Sequence, residues 1–396
     1  MRRSGRRRGA VVLARALCLL AASVTLAGCE TVARSYDRMF GSGPTQKPAA
    51  LIEIKPTAVM RIQWQGSVGA SEKSVFFPAR SGNTVYAAGA AGGVAGFDVA
   101  GGGEISRFEA GQRIAGGVGA GSGLVLLGTG KGEVLAFESS GKPLWKAQLS
   151  GEVLAPPQIL DGIVVARAGQ GRIYGLDAAT GRQRWTYQRA TPALSVRAHT
   201  GLVVQRGAVF AGFPGGRLVA LTLADGKVGW DAVVALPRGA TELERVADVA
   251  SLPVVDGPRV CAAAFQGRVA CVDTVRGALI WARDISSLAG VGVDRSYLYL
   301  TDDRNAVVAL DKSTGASIWR QDKLSGRNVT GPLAIGRHVA VGDIEGYVHL
   351  LSREDGAFAA RIATDGSAIS AAPMALDSST FLVQTRNGGV YAITIQ

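Results

Sequence analysis

Eight times along this chain a short apolar strand ends in Ala or Gly, an aliphatic or Phe, and usually an acid, then turns. Most often a Trp follows eight residues after the acid. The clearest copies are YGLDAATGRQRW, with Asp177, Thr180, Gly181 and Trp185, and VALDKSTGASIW, with Asp311, Thr314, Gly315 and Trp319. With Asp98, Glu138, Asp177, Thr222, Asp273, Asp311, Ser352 and Thr394 as the equivalent position, the steps are 40, 39, 45, 51, 38, 41 and 42 residues. A period near 40 with several short strands per unit is the signature of a β-propeller blade.

One unit shows the physics. In the third copy the pattern predicts strands over 155–159, 163–166, 172–177 and 183–187, separated by Asp161-Gly162, by Gly169-Gln170-Gly171 and by the turn from Asp177 to Gly181. Gly and Asp tolerate the backbone that tight hairpins need, and the Asp177 carboxylate is placed to accept hydrogen bonds from its own turn. The Trp then falls on the outermost strand, where its ring fills the widening wedge between blades. Such a unit has two apolar faces and buries them only by stacking in a ring.

The eighth copy stops at YAITIQ, without its last strand, and the chain has a spare one. MRIQWQGSV, Met60 to Val68, carries Trp64 in a strand-like setting before the first blade begins near Ser74. It is predicted to pair with Gly388 to Ile395 and close the ring, leaving no open edge between first and last blades. The expected fold is all-β, an eight-bladed β-propeller of four-stranded antiparallel blades spanning residues 59–396.

The net charge of +12 suggests a nucleic-acid partner until the basic residues are located. Six arginines lie in the first 15 residues; without them 37 basic residues face 31 acidic ones, scattered through turns with no aromatic-interleaved basic run. The first 28 residues read as an export signal: an arginine-rich head, then an apolar stretch too short for a stable transmembrane helix. Arg15 inside that stretch leaves room for a start codon later than Met1. The stretch ends Leu26-Ala27-Gly28-Cys29, which resembles the lipobox of bacterial lipoproteins, whose Cys is acylated and becomes the first mature residue. Two or more acyl chains hold a protein stably at a membrane, each buried methylene contributing about 0.8 kcal/mol. Glu30, where an Asp is the usual inner-membrane retention signal, implies outer-membrane sorting, facing the periplasm. Residues 29–58, from the acylated Cys through a stretch rich in Ser, Gly, Pro and Lys, read as a flexible tether with an r.m.s. reach of about 30 Å.

Catalytic chemistry is not legible. The three histidines, His199, His338 and His349, share no metal-ligand or catalytic spacing with one another or with a Cys, and the Gly-rich runs complete no dinucleotide fingerprint. The acids Asp98, Glu138, Asp177, Asp273 and Asp311 stand at a fixed place in each repeat, which assigns them to turn capping rather than to a catalytic ring. No catalytic residue, cofactor site or metal site is predicted. Cys261 and Cys271 lie on adjacent strands around Gln266-Gly267; an odd-numbered loop places them opposite each other and able to pair, an even one sends them to opposite faces.

The A-[LF]-D-x-x-T-G-x-x-x-W pattern is similar to the repeat of pyrroloquinoline-quinone dehydrogenases, eight-bladed propellers that hold quinone and Ca²⁺ in a central funnel, commonly beside a vicinal disulfide. This chain has no adjacent cysteines and is far shorter, so that likeness covers the fold and not the site. A likeness over essentially the whole chain is to the BamB family, propeller lipoproteins of the outer-membrane β-barrel assembly (BAM) machinery. It is carried by the lipobox, LIEIKPTA from Leu51, the eight repeats, PALSVR (192–197) and GATELERVADVASLPVV (239–255). The two last stretches coincide with the long steps of 45 and 51 residues. Both lie in connections from an outer strand to the next inner strand, so they emerge on one face from neighbouring blades, where binding tends to reside.

The resemblance implies a noncatalytic scaffold that docks onto a POTRA domain of BamA, works beside the other BAM subunits and helps deliver unfolded outer-membrane proteins, with no nucleic-acid partner. Its Leu-Ser-Leu-Arg motif falls on Leu194, Ser195, Val196 and Arg197, and the first acid of its Asp-Val-Asp on Asp248; Ala250 replaces the second acid. Two aliphatics fill a shallow notch while Arg197 offers forked hydrogen bonds to a carboxylate or to carbonyls. The competing structural reading turns Leu194 and Val196 into the blade core and pairs Arg197 with Asp248. The competing functional reading is a periplasmic quinoprotein-like enzyme using the funnel.

Overall fold

Each strand of the repeat pairs with its sequence neighbour. In the computed structural model, which describes residues 47–169, 171–197, 199 and 201–396, the third repeat forms β10 (Gln158–Leu160), β11 (Ile163–Ala168), β12 (Arg172–Asp177) and β13 (Gln183–Gln188) in that order across one antiparallel sheet. The first strand starts three residues later than predicted, because Pro156 and Pro157 have no N–H to give a ladder. Seven further four-stranded sheets repeat the plan, making eight blades among the described residues. Seven blades are consecutive in sequence. The eighth joins β1 (Met60–Ser67) to β32 (Gly389–Ile395), pairing Met60 with Ile395 and Ser67 with Gly389, as expected.

Closure of the ring is visible in the core. Successive residues of a strand point to opposite sheet faces, so each blade contributes to two interfaces. On β12, Tyr174 and Leu176 pack with Leu126 and Val134 of the blade before, while Ile173 packs with Val209 and Val219 of the blade after. The same alternation gives eight apolar clusters, one for each pair of neighbouring blades, the last uniting Trp64 and Leu382 of blade 8 with Val85 and Phe97 of blade 1.

The tryptophans tie blade to blade. Trp145 Nε1 donates to Ala178 O at 2.8 Å, Trp185 to Leu223 O at 2.8 Å and Trp319 to Arg353 O at 2.9 Å, each carbonyl lying in the turn of the following blade. Trp64, Trp230 and Trp281 repeat the bond to Val99, Thr274 and Lys312. The repeat's Gly lies against that ring: a Cβ on Gly181, whose φ is +70°, would sit 2.5 Å from Trp145. The residue before each Trp is a bulge; in blade 3, Gly175 faces Trp185 and Leu176 faces Gln183, skipping Arg184. Bulges of this kind twist an outer strand and blunt its free edge.

The stretch from Ala49 onward departs from the reading of residues 29–58 as tether. Ala49–Gln396 form one unit, and within it Ala49 N donates to Ser325 O at 2.9 Å, Thr57 N donates to Ala359 O at 2.9 Å and Ala58 is buried. Leu51, Ile52 and Ile54 break the polar composition there, giving the segment apolar surface to lay down. The signal segment and Cys29 lie outside the described residues.

Candidate docking surface

In an antiparallel blade the connection from outer strand to next inner strand and the hairpin between the two middle strands share one face. The two long connections, residues 189–201 between blades 3 and 4 and 234–253 between blades 4 and 5, are therefore neighbours on that face. Asp248 joins them. Its carboxylate is 3% exposed and accepts from Val196 N at 2.7 Å and from Gly215 N at 3.1 Å, while its own carbonyl accepts from Phe265 N at 2.8 Å. Asp248 thus supports the 192–197 segment from beneath. Nearby Arg167 stacks over the Phe213 ring, 5.1 Å from its centroid; burial pulls the guanidinium pKa down to about 10 despite the opposing field of Asp248.

What the support holds up is exposed. Leu194 is 44% exposed, and Val196 is half-buried above its amide's bond to Asp248. The Arg197 guanidinium reaches sideways to Glu152 on the connection between blades 2 and 3, with Nη2 2.8 and 3.0 Å from the two carboxylate oxygens and Nε at 3.3 Å. The competing structural reading, with Leu194 in the core and Arg197 paired to Asp248, is corrected on both counts: the acid is taken by backbone amides and the leucine faces out. Glu152 escaped the sequence reading. The signal available was its place on the adjacent connection of the same face.

The second loop is ordered by its own chemistry. Thr241 and Glu244 form a reciprocal cap: Glu244 N donates to Thr241 Oγ1 at 3.2 Å, and the Ala240 and Thr241 amides donate to Glu244 Oε2 at 2.8 and 3.1 Å. Those amides hold the Glu244 carboxyl below its ordinary range. The Gln266 side-chain amide, turned to donate, meets Leu243 O and Val246 O at 3.1 and 3.2 Å. Leu236, Leu243 and Leu252 are left exposed on this loop, as Leu194 is on the first.

The repeated acids serve their turns. Asp177 accepts from the Ala179 and Thr180 amides and from the Thr180 hydroxyl, and Asp311 does the same with Ser313 and Thr314. Arg184, followed by Thr180, lowers the Asp177 pKa to about 2; the Ser313 and Thr314 hydroxyls do the same for Asp311. No cluster of three or more His, Cys, Asp or Glu with metal-binding geometry occurs among the described residues. Cys261 and Cys271 face each other across β19 (Arg259–Ala263) and β20 (Val269–Asp273) and form a disulfide, because the five residues 264–268 between the strands put the pair in register.

Comparison with known proteins places this architecture. A family model described as outer membrane protein assembly factor BamB matches residues 90–321. The chain is 41% identical to the protein of that name from Nitrosomonas eutropha over 388 residues, covering 96% of this chain and 95% of that one. It is 41% identical to the protein of that name from Burkholderia pseudomallei over 345 residues, 87% of this chain and 90% of that one. The crystal structure of BamB from Moraxella catarrhalis superposes with a TM-score of 0.78 at 26% identity, covering 85% of this chain and all of the other. A quinohemoprotein alcohol dehydrogenase from Pseudomonas putida shares the fold alone, with a TM-score of 0.68 at 12% identity over 85% of this chain and 76% of that one. A ring of eight blades carrying this loop pair, matched in sequence over nearly its whole length, belongs to the BamB family of outer membrane protein assembly factors.

Proposed function

We propose that the protein is a noncatalytic scaffold of the BAM complex that docks onto a POTRA domain of BamA and assists delivery and insertion of β-barrel proteins. In this reading Cys29 is acylated and holds it to the outer membrane, facing the periplasm. The observation that carries the reading is the loop pair at Asp248: a buried carboxylate ties the Val196 amide to the Gly215 amide of blade 4 and so holds up a segment that exposes Leu194 and Arg197 beside half-buried Val196. Leu194 and Val196 supply apolar contact, and Arg197 exchanges Glu152 for a partner's carboxylate or carbonyls. A surface pair of this kind is worth about 0–1 kcal/mol, so the exchange is cheap.

The roles within the site differ. Leu194 and Arg197 touch the partner; Asp248 acts through the Val196 amide. Pull-down of BamA by the mature protein tests this. Leu194→Ala and Arg197→Ala are each expected to weaken capture about tenfold, the loss typical of a modest interface anchor. Asp248→Ala lowers capture as much or more by freeing the 192–197 segment, which faster hydrogen exchange at Val196 would report. Capture that survives all three changes removes the site assignment, and no capture of BamA by the unaltered protein removes the functional one.

A further inference from the structure

We propose that the outer edge of blade 7 is a receptor for an extended peptide segment, and that its resident occupant is the chain's own Ala49–Ala58. This docking fixes the face of the ring on which Ala49 lies. The inference rests on blade 7 and is independent of the docking loops between blades 3 and 5.

The receptor is built on a buried polar core. Asp343, in the hairpin between the two middle strands of blade 7, and His349 on β28 (Tyr347–Ser352) are both fully buried, with His349 Nε2 2.8 Å from Asp343 Oδ2. Each orients one arginine. Arg327, only 2% exposed, donates from Nε to Asp343 Oδ2 at 2.6 Å and lies 5.7 Å from the centroid of the Tyr347 ring. Its Nη1 donates to Ala49 O at 2.8 Å. Arg361 on β29 (Phe358–Ala363) donates from Nε to His349 Nδ1 at 3.1 Å and from Nη1 to Ile52 O at 3.1 Å. Burying an arginine is costly unless its donors are matched; at Arg327 Asp343 takes Nε, Glu345 takes Nη2, and a carbonyl of the Ala49–Ala58 strap takes Nη1.

The far end of the strap uses the edge of the sheet. Ala359 is the bulged residue of β29, skipped where Leu350 faces Ala360 and Leu351 faces Phe358. Its carbonyl accepts from Thr57 N at 2.9 Å and Ala58 N at 3.3 Å, while Ala49 N bonds Ser325 O. All these contacts take backbone atoms of the strap, the mode by which a strand edge recognises an extended peptide. The strap runs antiparallel to β29, from the face carrying Leu194 and Arg197 to the opposite face, where Met60 begins β1. Ala49 therefore lies on the same face of the ring as the docking loops.

Hydrogen exchange on the mature chain tests the latch, read at the amides of Ala49, Thr57 and Ala58. Unaltered, these amides should exchange about a hundredfold more slowly than an unstructured peptide. Arg361→Ala and, separately, Arg327→Met should each remove at least about tenfold of that protection while the strands of blades 1 to 5 keep theirs. Should Arg327→Met fail to fold, Arg361→Ala alone decides. Exchange at peptide rates in the unaltered chain, or protection unchanged by Arg361→Ala, overturns the proposal.

Discussion

His349 shows how one side chain couples the fold to pH. Burial draws its pKa below the ordinary histidine value, outweighing the attraction of Asp343. Burial pushes the Asp343 carboxyl up, but hydrogen bonds from His349, the Tyr347 amide and Arg327 hold it below the usual carboxylate range. The imidazole is neutral, donating to Asp343 and accepting from Arg361. As pH falls below about 6.5, the unfolded chain takes up a proton at this position and the folded one does not, so stability declines by up to about 1.4 kcal/mol per pH unit. Burial shifts His199 and His338 the same way, adding slopes of the same sign. Urea midpoints at pH 7.5 and 5.5 are expected to diverge, and His349→Gln should flatten the dependence by its own share. A slope unaltered by His349→Gln would show that the titration lies elsewhere.

Among the described elements, the β19–β20 hairpin of blade 5 is covalently tied. Its disulfide spans ten residues, so in chain-entropy terms it contributes about 2–3 kcal/mol by restricting the unfolded state. Both cysteines are buried in the cluster shared with blade 6, around Trp281, Leu298 and Leu310. Removing the pair as Cys261→Ala with Cys271→Ala is expected to lower the stability measured in urea by about that amount, and reductant should shift the unaltered protein similarly. Stability indifferent to reductant would mean that the bond contributes nothing. Whether these residues met was undecidable from spacing alone: one residue more or fewer in the 264–268 connection would have turned them to opposite faces. The strap is a second element that composition concealed. Residues 49–58 follow a polar, proline-containing stretch, and what holds them, the arginines of blade 7 and the carbonyls of Ser325 and Ala359, lies some 270 to 310 positions away.

At the scale of the whole molecule, the ring is closed by a single strand. β1 supplies the outer strand of blade 8 and Trp64, whose indole reaches Val99 O in blade 1 at 3.0 Å. A chain lacking Met60–Ser67 would expose the edge of β32 and the apolar face around Phe97, Leu382 and Val390. Calorimetry and size-exclusion chromatography are expected to show a melting temperature at least about 10 °C lower and association into larger species. A monomer of unchanged melting temperature would refute that role. This closure was legible in the chain itself, as were the blade count, the tryptophan staples and the capping acids. All follow from a periodic pattern in which each turn, strand and ring is specified within about 40 residues, so local chemistry suffices. The two long connections were legible too, as departures from that period. Their internal arrangement was not: Asp248 bonding Val196 across 52 positions, Arg197 turning to Glu152, and the strap lying on blade 7 are contacts between segments that share no repeat position. Sequence determined the ring because periodicity encodes neighbours. Only the tertiary structure decided which groups met on its face, because those meetings depend on how connections that lie outside the repeat settle against one another.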